Sequence, residues 1–184
     1  MSVNFLLGMI ALCGCISNTY GMQSVGYSNS QTFSGIDTII IHNNDGNICV
    51  KPSLSNETIV TFNGSPDNAD IFRNNGRLTI ENKQKSYFSF FNPKVDFCIY
   101  SPSSVRNIDI SLGGGKVAVE TQVQKLAISG GDLDILLKDM KGDMRISGGK
   151  CNVRYIGEIK TLNENVSFDI SSGHLTLDAL RNDF

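Results

Sequence analysis

The chain has 184 residues, a formal net charge of −2 and only 18% charged residues. No basic stripe runs through it, so the electrostatic footprint of a nucleic-acid binder is missing and no nucleic-acid partner is expected. Eighteen glycines, no tryptophan and few stretches of helical character point to an all-β fold in one domain behind a short leader.

Residues 1–14 read as an export signal. Phe5 to Leu12 is apolar but too short to span a bilayer as a helix. Leu12-Cys13-Gly14-Cys15 resembles a bacterial lipobox, which makes Cys15 the candidate lipidation site and a lipid anchor the expected link to a membrane. The other reading of these residues is a plain secretory signal cut nearer Gly21. No aspartate follows Cys15, which favours the outer membrane over inner-membrane retention. Residues 15–32, rich in Ser, Asn and Gly, are expected as a flexible tether, and the folded domain is expected over residues 33–184.

Within the domain, Ile39, Ile41, Ile48 and Val50 fall in the four apolar columns of the repeat that begins at Ile108, so residues 39–50 read as one more rung, with Asn44-Asp45-Gly46, a tight-turn signal, between its halves. Ile59 to Phe62 reads as a strand, Asn63 to Asp67 as a turn, Leu78 to Ile80 as another strand after Asn75-Gly76, and Val95 to Tyr100 as a further strand ending at Pro102. Glu81 to Pro93 breaks the rhythm. Its aromatic run Tyr87, Phe88, Phe90 and Phe91, flanked by Lys83, Lys85 and Lys94, has two readings: a plug in the core or an apolar partner surface.

From Ile108 the chain repeats itself. Ile108-Asp-Ile110-Ser-Leu-Gly113, Leu126-Ala-Ile128-Ser-Gly-Gly131, Met144-Arg-Ile146-Ser-Gly-Gly149 and Phe168-Asp-Ile170-Ser-Ser-Gly173 share one pattern. Ile110, Ile128 and Ile146 are 18 residues apart, and Ile170 follows after 24, which implies a six-residue insertion. Val117, Ile135, Val153, Leu177 and Val119, Leu137, Tyr155, Ala179 supply two further apolar columns beyond the glycine. Apolar columns split by a glycine corner mean two short strands per repeat. A rung of this kind cannot bury its inward side chains alone, so copies must stack. The expected architecture is a parallel β-helix, or β-solenoid, with rungs of about 18–24 residues, serines pointing outward and the tail from Arg181 to Phe184 covering the open end.

Cys49, Cys98 and Cys151 each sit alone in a strand-like run without zinc-site spacing. They read as small buried apolar residues. A disulfide between two of them is compatible with export, but the sequence does not choose the pair.

Phe33-Ser-Gly-Ile36, Gly76-Arg-Leu-Thr-Ile80, the strand from Val95 to Pro102 and the Ile-Ser-Gly-Gly units resemble the head GIN domain, a family of auto-transporter adhesins of unknown function. The resemblance covers about residues 33–180. It implies a right-handed β-solenoid, exported and often lipid-anchored, and carries no catalytic residues.

An enzyme reading rests on one corner. Counted from the anchors, Asp132, Lys150 and His174 fall in one column, and Arg145 and Asp169 fall beside each other in another. The competing reading is a solvated edge with weak surface ion pairs. Asp132 and Asp134 alone do not make a calcium site, His42 has no evident partner, and no nucleophile, phosphate-binding or metal motif is present. The expected function is therefore an exported cell-envelope adhesin or binding module, non-catalytic and cofactor-free, meeting a glycan or an envelope or host protein. Its rivals are a periplasmic scaffold and a carbohydrate-active enzyme. These residues do not fix an oligomeric state.

Overall fold

The computed structural model describes residues 26–83, 94–158 and 165–179. The described chain is all-β apart from one 3-10 turn. Its strands are β1 (Asn29–Ser34), β2 (Thr38–Pro52), β3 (Glu57–Phe62), β4 (Ala69–Asn74), β5 (Arg77–Asn82), β6 (Phe97–Ser101), β7 (Asn107–Val119), β8 (Lys125–Lys138), β9 (Asp143–Gly157) and β10 (Val166–Ala179). All belong to one mixed sheet. β1 starts at Asn29, inside the stretch expected as tether. Among the described residues no helix is long and apolar enough to cross a membrane. The leader with Cys13 and Cys15, the aromatic run 87–91 and the tail 181–184 lie outside the described residues.

The long strands run parallel and in register in the order β2-β7-β8-β9-β10. On its other side β2 pairs with β5 through its first half and with β6 through its second. β5 and β6 together thus act as one interrupted strand beneath β2. This order departs from the chain: β2 lies between residues 77–101 and β7, and the later segment passes β2 to reach β7. Antiparallel strands finish this end, with β4 on β5, β3 on β6 and β1 on β3. Asn75 and Gly76, both at positive φ (46° and 80°), turn β4 into β5, as an Asn-Gly pair does in a tight hairpin.

The register builds the core. One column runs Leu78, Ile39, Ile108, Leu126, Met144, Val166, and the next Ile80, Ile41, Ile110, Ile128, Ile146, Phe168. Past the bend come Phe97, Ile48, Val117, Ile135, Val153, Leu175 and then Ile99, Val50, Val119, Leu137, Tyr155, Leu177. From β5 and β6 up to β9 every one of these side chains is buried. β10 is an edge strand, and Leu175 and Leu177 remain 47% and 46% exposed there.

Two expectations change at the bend. First, each repeat is a single strand that turns its corner with the ladder continuing, rather than two separate strands; in β2 the corner is Asn44-Asp45-Gly46. The corner shifts the alternation by one residue, so inward positions run 108, 110, 112 and then 115, 117, 119 in β7. Second, the last repeat is set differently. Met144 pairs with Val166, Ile146 with Phe168, and Gly148 with Ile170, so the insertion is four residues and not six. The match of Ile170-Ser-Ser-Gly173 to Ile-Ser-Gly-Gly was off by two positions.

Packing explains that register. Each corner has room for one large inward side chain. In β7 it is Leu112, with Gly115 opposite; in β8 it is Leu133, with Gly130; in β9 Cys151, with Gly148; in β10 Ile170, with Gly173; and in β2 Asn43, with Gly46. A Cβ on Gly130 would lie 2.9 Å from the Leu133 side chain, and one on Gly148 would lie 2.5 Å from Cys151 Sγ. Ile170 with Gly173 repeats the Leu112–Gly115 form, which places Ile170 against Gly148. Backbone sets a second limit at these positions, since a Cβ on Gly130 would also strike the Leu112 carbonyl and one on Gly115 the Gly46 carbonyl, and at the corner glycines Gly113, Gly131 and Gly149 it is the only one. A side chain on any of them would press on the backbone of the preceding strand: Asn44, Gly113 and Gly131 respectively.

Candidate binding surface

Sequence reasoning proposed a polar corner. The register brings Asp132 and Lys150 side by side on β8 and β9, both exposed. It does not bring His174 to them. Lys150 faces Ser172, and His174 faces Asn152 in the column Asn47, Lys116, Asp134, Asn152, His174. Arg145 likewise faces Ser167 rather than Asp169, which sits opposite Ser147. Exposed charges in water lack the low-dielectric surroundings that tune an acid or base, so this corner offers solvated polar contacts. Among the described residues no group of three or more His, Cys, Asp and Glu side chains could hold a metal ion.

The serine column is real as far as β9: Ser111, Ser129 and Ser147 are in register, with His42 before them and Asp169 after. The Ser129 hydroxyl donates to the Ile110 carbonyl at 3.5 Å, so it bonds to the neighbouring strand's backbone. Further along the outer face the Asn152 amide donates to Asp134 Oδ1 at 2.9 Å, and Arg154 pairs with Asp178. Together β7 to β10 present outward amides, hydroxyls and charges repeated at strand spacing on both sides of the corner.

The connections between strands form a second surface that the sequence reading missed. Two contiguous shallow clefts, of about 530 and 490 Å³, run along them and share Ser103 and Gln122. The first is lined by Arg106, Gln124 and Lys141, the second by Ser53, Asn56, Glu120 and Asp139. These turns are pinned to one another by backbone bonds: Gln124 N–H donates to the Arg106 carbonyl, and Asp143 N–H to the Gln124 carbonyl, each at 2.8 Å. The signal was available, because Arg106 and Gln124 are 18 residues apart like the anchors. It was hidden because only apolar and glycine columns stand out by eye.

The aromatic run Tyr87, Phe88, Phe90, Phe91 lies outside the described residues, but both ends of its segment are described. They meet at a polar clasp. The Asn43 amide donates to the Val95 carbonyl at 2.8 Å and accepts from the Asn82 amide at 3.0 Å. Asp96 accepts from Asn47 N–H at 2.7 Å and from the Asn63 amide at 3.0 Å, and Lys94 pairs with Asp45 at 2.9 Å. This accounts for a polar residue in the column that holds Leu112 in the next strand. Asn43 is 4% exposed, and its carboxamide satisfies backbone and side-chain groups on both flanks of the interruption.

No family model matches the chain, and no curated protein matches it. The fold is similar to that of a "putative cell adhesion protein" from Clostridium sporogenes, with a TM-score of 0.57 and 12% identity over 83% of this chain and 99% of that one. A "putative adhesin" from Bacteroides fragilis aligns at 15% identity over 81% of this chain and 96% of that one, with a TM-score of 0.31. At such identities the first likeness concerns the fold, and the second is too loose to carry weight. The head GIN domain remains a resemblance within the sequence.

Proposed function

We propose that this chain is an exported binding module of the adhesin kind, built as a right-handed parallel β-helix and tethered to the cell envelope through a lipid on Cys15. The observation that carries the reading is the in-register parallel stack, which repeats polar side chains along one face and lines two adjoining shallow clefts with polar and apolar turn residues. Such a surface suits an extended, hydroxyl-rich ligand, because Ser, Gln, Asn, Arg and carboxylate groups can each exchange water for a sugar hydroxyl along its length. The likeness to a cell adhesion protein supports the architecture. The aromatic run at 87–91 would supply an apolar contact to such a partner.

The test is binding of the purified chain to an array of extended glycans, alongside Gln122→Ala combined with Lys141→Ala. Binding that falls at least tenfold in the double variant, with the melting temperature unchanged, supports the clefts. Binding that ignores the substitution moves the contact elsewhere, and a chain that holds no glycan but is protected from protease on whole cells would replace the adhesin by an envelope scaffold.

A further inference from the structure

The outer face of the sheet carries a second, small apolar cluster, separate from the core. It consists of Cys49, Cys98 and Ala118, with Tyr100 and Leu136 packed against it. Cys49 and Cys98 are register partners on the adjacent parallel strands β2 and β6, and both thiols are free. They are 6% and 3% exposed. Partners on neighbouring strands have α-carbons about 4.8 Å apart with side chains on the same face, inside the window of roughly 4.4–6.8 Å that a disulfide spans.

The two thiols are unequal. A hydrogen bond from Cys49 favours the Cys98 thiolate; burial opposes it, and the Lys51 charge and bonds from Tyr100 and Tyr27 add to it, so the Cys98 thiol is pulled below its ordinary range. The same bond, with burial, pushes the Cys49 thiol up. One sulfur is thus prepared to attack and the other keeps its proton, the division of labour in an attacking and resolving pair. Tyr27, 39% exposed and drawn from the segment before β1, bonds to Cys98 and is the side chain whose movement would admit a reagent.

We propose that Cys98 and Cys49 are a two-electron exchange site for a disulfide reagent, and that the product is an inter-strand disulfide stapling β6 and its antiparallel partners to the parallel stack. Cys98 Sγ, its proton already lost to solvent, attacks one sulfur of the reagent R–S–S–R and expels R–S⁻. The released thiolate takes the Cys49 proton. Cys49 Sγ then attacks Cys98 Sγ and expels the second R–S⁻, which takes up the proton Cys98 gave away. The protein loses two hydrogens and the reagent becomes two thiols. The remaining described cysteine, Cys151, is buried in the core columns and is set apart from this pair.

The experiment exposes the folded full-length chain to glutathione disulfide, blocks remaining thiols, and maps the linked peptides by mass. The expected result is a Cys49–Cys98 link, with Cys151 still a thiol and a melting temperature raised by roughly 5–15 °C, since the bond closes a long loop. Cys49→Ser, which keeps a hydrogen-bond donor beside Cys98 but cannot resolve the mixed disulfide, should trap glutathione on Cys98, while Cys98→Ala should leave Cys49 unmodified. The proposal is overturned if both cysteines stay unlinked in the folded chain although the urea-unfolded chain reacts, or if the link recruits Cys151. A link that forms without raising the melting temperature overturns the staple, and glutathione trapped on Cys49 in Cys98→Ala overturns the order of attack.

Discussion

The stack of β7, β8 and β9 and the antiparallel end of β1, β3 and β4 answer the same physical demand by opposite means. In the stack each strand meets a near-copy of itself 18 residues away, so one rule for inward positions serves every level. At the other end each strand meets a stranger: β3 pairs with β6, 39 positions on at Val60 and Ile99, and β5 pairs back to β2, with Ile39 opposite Leu78. There the gaps are closed by individual polar contacts, such as those of Asn43 and Asp96, rather than by a column. The stack is therefore sensitive to volume and backbone space, and the other end to hydrogen-bond partners.

The comparison breaks hardest at Gly115. Its φ is 135°, and a side chain would collide with the backbone carbonyl of Gly46, an atom fixed by the ladder. Gly115→Leu adds that collision to backbone strain and a corner already filled by Leu112. We expect a loss of roughly 4–5 kcal/mol, read by urea unfolding. Next comes Ile128→Ala, which opens a cavity in the middle of a column where Ile128 is 1% exposed, at about 3–4 kcal/mol. The one-large-one-glycine rule can be sharpened with Gly148→Leu, which overfills the β9 corner. Adding Cys151→Gly restores the Leu112–Gly115 arrangement and should recover part of the loss; a double variant as unstable as the sum of the two changes would refute the rule.

At the other end, Asn43→Leu should also destabilise, although leucine occupies the equivalent position in β7. The Val95 carbonyl would lose its donor in a buried place, at about 1–3 kcal/mol by thermal unfolding. If Asn43→Leu were neutral or stabilising, the clasp would be incidental and the column rule would extend to β2.

These differences set what could be read in advance. The columns from Ile108 to Tyr155 were legible because each strand's partner is its own sequence shifted by 18, so burial shows as repetition. The last repeat was misplaced by two because Ile170-Ser-Ser-Gly173 imitates the motif, while the corner volume, a three-dimensional quantity, decides the register. That error placed His174 beside Lys150, where the true register puts Ser172. β2 was recognised as a rung, but its place between residues 77–101 and β7 was not, since pairing across 69 residues leaves no local trace. The Cys49–Cys98 pair was hidden by the same non-local order, because it exists only once β6 is known to lie against β2.

The smallest effects lie on the periphery of both regions, and they test whether exposure alone sets the scale. Leu177 ends a core column yet is 46% exposed on β10, and Lys94 pairs with Asp45 from a side chain that is 72% exposed. Half of the leucine's burial is already forfeited, so Leu177→Ala should cost about 1 kcal/mol against the 3–4 kcal/mol at Ile128. An exposed ion pair gives up in side-chain entropy and salt screening most of what it gains, so Lys94→Ala should cost about 0–1 kcal/mol and less still at high salt. Leu177→Ala is the sharper of the two. A loss there as large as at Ile128 would mean that the edge is covered in solution, and the stack would then end on a partner surface rather than on water.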